Sequence, residues 1–146
     1  MEKILVGLDS ETTSLWSVIY ALNLAKRMEV KISVLLVMGS PVDLHKQSLK
    51  DKKKASIRTR LEKLILEGRA DGVPIDYYLA HGSYKNELIK FIQEKKISLL
   101  VVDCPLPGQN GASKNLPELL EEIKLRTHCR IEMVHHKDVN ENRKRS

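Results

Sequence analysis

The apolar positions of this chain fall into alternating blocks of two kinds. Residues 3–8 (KILVGL), 31–37 (KISVLLV) and 97–102 (ISLLVV) are short and nearly continuous, too apolar for half-exposed strands, and read as strands buried on both faces. Residues 75–79 and 130–135 supply two further strand segments. Between the strands, apolar residues recur at helical spacing: Leu15, Ile19, Leu22 and Ala25, then Ile57, Leu61, Leu64 and Ile65, then Leu88, Ile89 and Ile92. Boundary residues fit the same division. Asp9-Ser10-Glu11-Thr12 is helix-start chemistry, and Lys26 and Arg27 suit the negative end of the first helix. Asp71-Gly72 followed by Pro74 stops the second helix, and Ser83 can cap the third. Asn115 and Glu118 around Pro117 form a capping-box variant that predicts a fourth helix through Thr127.

Strict alternation of strand and helix predicts an α/β fold, a five-stranded parallel sheet with helices on both faces and right-handed crossovers, Rossmann-like in outline. The chain has 146 residues, enough for one domain with its own core and too few for two. The domain is expected over residues 1–136. The last ten, KDVNENRKRS, have almost no apolar content and are expected to form a disordered basic tail.

Charge changes the picture only locally. The formal net charge is +6, and residues 46–60 carry all of it, with seven basic residues against the single acid Asp51. Lys50, Lys52, Lys53 and Lys54 are therefore candidates for holding an anion, set against the plainer reading of a solvated connector and helix face. No aromatic residue interleaves with them between Pro41 and Asp76, which argues against a nucleic-acid partner of the stacking type. The apolar residues of that helix are needed to cover the sheet, which argues against a membrane-surface helix. No run approaches the roughly 18 apolar residues of a membrane span, and the start of the chain shows no leader pattern, so a cytoplasmic location is expected.

Motifs for chemistry are sparse. Neither G-x-S-x-G nor H-E-x-x-H occurs, no catalytic residue is assigned, and the chain is read as non-enzymatic. Cys104 and Cys129 lack C-x-x-C spacing and are expected as reduced thiols. His135 and His136 are adjacent, so on a strand they point to opposite faces and do not make a metal site.

The segments KILVGLDSE, ISVLLVM and HGSYKNELIKFIQEKKISLLVVD, in this order and spacing, resemble the universal stress protein family over residues 1 to about 135, and Cys129 falls where many members carry Cys-Pro before the last strand. The resemblance implies a five-stranded parallel α/β domain, a homodimer, and a role in cytoplasmic stress responses. One branch of that family binds ATP through Gly-x-x-Gly, nine residues, then Gly-Ser or Gly-Thr, beginning at the end of the fourth strand. This chain departs from it at each glycine: the first falls on Asp103, the second on Leu106, and the last pair around Leu116, Pro117 and Glu118. Glycine lets the backbone approach a phosphate and aim several N–H groups at it. Leu106 obstructs that approach, Pro105, Pro107 and Pro117 have no N–H to give, and Asp103 places a negative charge where a triphosphate would lie.

The expectation is thus a universal stress protein-like regulatory domain that acts through protein association, with a homodimer as its first partner, an unidentified protein as its second, and no cofactor. The alternative is an adenine-nucleotide-binding switch or weak ATPase. It would use Asp9 and Val37, which match positions flanking the adenine in the nucleotide-binding branch, and a displaced phosphate loop of Gly108, Gly111, Ser113 and Lys114.

Overall fold

The computed structural model describes residues 2–9, 15–38, 48–104 and 116–135, the side chains of 48–56 excepted. Among the described residues, nine elements follow in strict alternation: β1 (Lys3–Asp9), α1 (Trp16–Met28), β2 (Lys31–Met38), α2 (Ser48–Ala70), β3 (Ile75–His81), α3 (Tyr84–Lys95), β4 (Leu99–Asp103), α4 (Leu116–Arg126) and β5 (Arg130–Val134). The strands form one sheet in the order β3-β2-β1-β4-β5, every pairing parallel, as the alternating pattern predicts. The chain winds outward from β1 through β2 to β3, then returns to place β4 on the other side of β1. That reversal is the switch point at which open α/β sheets leave a crevice.

Alternation along the strands divides the core in two. Ile4, Val6 and Leu8 of β1 join Ile32, Val34 and Leu36 of β2 against α1 and α2, where Val18, Ala21, Leu61 and Ile65 are buried. On the other face, Leu5, Leu35, Val37, Leu100 and Val102 pack against Leu88 and Ile92 of α3 and Leu120 and Ile123 of α4. Burial on both faces is why the inner strands carry so few polar residues.

Several boundaries differ from expectation for local reasons. The first helix begins at Trp16, and its cap position is Leu15, which offers no side-chain acceptor. Asp9 instead completes β1, and Ser10, Glu11 and Thr12 lie outside the described residues. Ser83 does cap α3, accepting from the Asn86 N–H at 3.4 Å. β4 starts at Leu99 because the preceding Ile97 N–H still bonds the Ile92 carbonyl of α3. Gly72 takes φ +93° beyond α2, the left-handed turn expected of Asp-Gly. Asn115 and the tail at 137–146 lie outside the described residues.

Candidate functional site

The crevice at the carboxyl ends of β1 and β4 is built by two strands that part. Their pairing runs from Ile4↔Leu99 to Val6↔Val101, yet β1 continues to Asp9 and β4 to Asp103. Beyond that register the Gly7 carbonyl receives the Tyr84 hydroxyl at 2.9 Å, so the first residue of α3 closes the crevice from one face. Gly7 leaves room for this close approach. A Cβ at this position would stand 2.6 Å from Leu88 Cδ2 and 3.3 Å from the Tyr84 hydroxyl. Burial, with the charges of Asp9 and Asp103 behind it, pushes the Tyr84 phenol far above its ordinary range, so it acts as a neutral donor.

The opposite face is closed by Asp103. Its carboxylate accepts the Ser17 backbone N–H at 2.8 Å through one oxygen and the Ser17 hydroxyl at 2.8 Å through the other. Ser17 is fully buried, the one buried polar residue among those described. It lies in the first turn of α1, whose N–H groups have no partner within the helix. Since Leu15 cannot cap that turn, the cap arrives from β4, 86 residues away in sequence. Burial raises the Asp103 carboxyl to about 6; the two Ser17 bonds oppose the shift, and the charge of Asp9 adds to it. Among the described residues, the carboxyl ends of β1 and β4 bring together two carboxylates and a phenol, while the loop after β4 lies outside them.

Asp9 and Val37 are brought together, as register neighbours at the ends of β1 and β2. Val37 is buried in the α3/α4 core and Asp9 is half-buried at the rim. Gly108, Gly111, Ser113 and Lys114 lie outside the described residues. Lys50, Lys52, Lys53 and Lys54 fall in the N-terminal half of α2, with side chains outside the description. Cys104 is half-buried and Cys129 buried, neither in a disulfide, and burial lifts Cys129 to about 11, which keeps it protonated and unreactive. Among the described residues, no three acidic, His or Cys side chains gather to hold a metal ion, and no helix is long and apolar enough to cross a membrane.

Sequence reasoning did not find Ser17, Tyr84 or Gly7 as members of this site. The available signals were a serine on the apolar side of the first helix and a lone glycine within an apolar strand, and neither says which distant group it meets. It also did not find a cleft of about 310 Å³ beside α3, lined by Asn86, Ile89, Lys90, Gln93, Glu94 and Arg126.

The strand order and the switch-point crevice define a doubly wound parallel α/β domain of the Rossmann-like class. Within that class, the sequence profile of the universal stress protein family matches residues 1–104, and the chain belongs to that family. A universal stress protein of Methanocaldococcus jannaschii is 24% identical over 140 residues, covering 91% of this chain and 81% of that protein. The solved universal stress protein UspA of Lactobacillus plantarum superposes with a TM-score of 0.67 at 17% identity, covering 91% of this chain and 97% of its own. A universal stress protein solved in complex with cAMP gives a TM-score of 0.62 at 21% identity, covering 92% and 96%.

Proposed function

We propose that this universal stress protein is a non-enzymatic regulatory domain that works through protein association in the cytoplasm, as a homodimer, and holds no ATP. The observation that carries this reading is the Asp103 carboxylate fixed by Ser17 in the switch-point crevice, with Asp9 close enough to add its charge. An ionised carboxylate repels a phosphate brought to the same place, and the α1 amide that could have met that phosphate is already bonded. For association, the sheet offers β5 as an edge. Ile131 and Met133 of this strand pack inward and are half-buried, while Arg130 and Glu132 are exposed. Arg130 bonds Glu2, which ties the edge strand to the start of β1.

The relative solved with cAMP favours a second reading, an adenine-nucleotide switch in which Asp9 and Val37 flank the base and the loop carrying Gly108, Gly111, Ser113 and Lys114 takes the phosphate. One preparation separates the two. Protein purified from its native host is denatured, the supernatant is assayed for adenine nucleotide, and the mass of the intact protein is measured by light scattering. The first reading expects no stoichiometric nucleotide and a dimer mass. Stoichiometric nucleotide supports the switch, and a monomer mass at micromolar concentration contradicts the homodimer.

A further inference from the structure

Leu15 at the cap position of α1 offers no side-chain acceptor, and the group that bonds the first turn from across the sheet is titratable. The N–H of Ser17 and its buried hydroxyl both bond Asp103. A carboxylate accepts two such bonds strongly because it is charged and has lone pairs on both oxygens. Once protonated it becomes a weaker acceptor, and the oxygen carrying the proton no longer suits the Ser17 hydroxyl as donor. We propose that the Asp103–Ser17 contact is a proton-operated latch: the ionised carboxylate holds the first turn of α1 across the carboxyl ends of β1 and β4, and protonation loosens it.

The groups that face Asp103 fit this role. From β1 comes the Asp9 carboxylate, which disfavours a second negative charge, and from α3 the Tyr84 phenol, held neutral with its hydroxyl on Gly7. From α1 comes Ser17, and from β5 the register partner is the apolar Val134. Cys104 and His135, next in sequence to Asp103 and Val134, each have a partner as well. Among the described residues, the two Ser17 bonds favour the ionised carboxylate, against burial and the charge of Asp9. That balance places the carboxyl near 6, within the range a cell can reach. The latch deepens the reading of the crevice given above, because it governs the turn that closes one face of it.

The test follows the Asp103 carboxyl carbon and the Ser17 amide proton of the full chain by NMR across neutral and mildly acidic pH, with hydrogen exchange of the Ser17 N–H measured alongside. The carboxyl is expected to titrate with a midpoint near 6, and the Ser17 amide to move along the same curve. Its protection, corrected for the intrinsic pH dependence, should fall by about tenfold from the ionised to the protonated state, the loss of roughly one charge-assisted bond. Asp103→Asn should flatten the Ser17 curve. Ser17→Ala, which keeps the N–H and removes the hydroxyl, should raise the Asp103 midpoint, and it serves if the Asn variant does not fold. A midpoint in the ordinary carboxylate range, or a Ser17 amide indifferent to the Asp103 titration, overturns the latch. ATP binding with the titration intact would sink the association reading alone, whereas refusal of ATP without the titration would sink the latch alone.

Discussion

At the scale of single residues, burial makes the ionised Asp103 carboxyl costly for folding of the whole chain, although within the folded chain the ionised form is the stronger acceptor for the Ser17 bonds. In the unfolded chain Asp103 titrates near its ordinary 3.8, and in the folded chain near 6. Between those values the folded state holds a proton that the unfolded state has released, so stability is greatest below the lower value and falls as pH rises through the upper one. The shift is worth on the order of 2–3 kcal/mol once fully developed. Asp103→Asn keeps the acceptor for the Ser17 N–H and removes the charge. It should therefore be stabilised relative to the parent at about pH 8 and much less so at about pH 4, read from urea midpoints at the two pH values. An equal difference at both would contradict the assignment. Tyr84→Phe leaves the Gly7 carbonyl without its donor and should cost about 1–2 kcal/mol, independent of pH across this range. Gly7→Ala has to displace Leu88 or Tyr84 and should cost about 1–3 kcal/mol by the same denaturation measurement.

Elements show how far the sequence could be read. β1, β2 and β4 were legible because strands buried on both faces leave continuous apolar runs, and α3 because Ser83 sits where the helix needs an acceptor. The start of α1 was not legible. Its cap comes from Asp103 across the sheet, and no local pattern encodes a partner 86 residues away. The same limit hid Tyr84, which pattern reading takes for a helix residue and which the fold places on the Gly7 carbonyl. Asp103 itself stood out as a negative charge in place of an expected glycine, but the group it would bond was invisible. Packing predicts a steep contrast within this layer of elements. Leu100→Ala, at a fully buried position of β4, should cost about 2–5 kcal/mol, whereas Leu125→Ala on α4, 81% exposed, should stay within about 0.5 kcal/mol. Similar costs for the two would show that the two-layer core is misplaced.

For the molecule as a whole, the family framework and the crevice point in different directions. The sheet order and both helical layers are those of a universal stress protein, and a relative of this fold was solved with cAMP. At the switch point, however, this chain turns its own carboxylate inward and bonds it to the Ser17 N–H and hydroxyl in the first turn of α1. On the function proposed above, a crevice with an internal anion has little to offer a triphosphate, and the framework around it acts through its surfaces. The most direct measurement is a calorimetric titration of the purified protein with ATP and Mg²⁺ above the Asp103 midpoint, where the carboxylate is ionised. This account predicts no binding isotherm up to about 1 mM ATP, and saturable binding with a micromolar dissociation constant would contradict it.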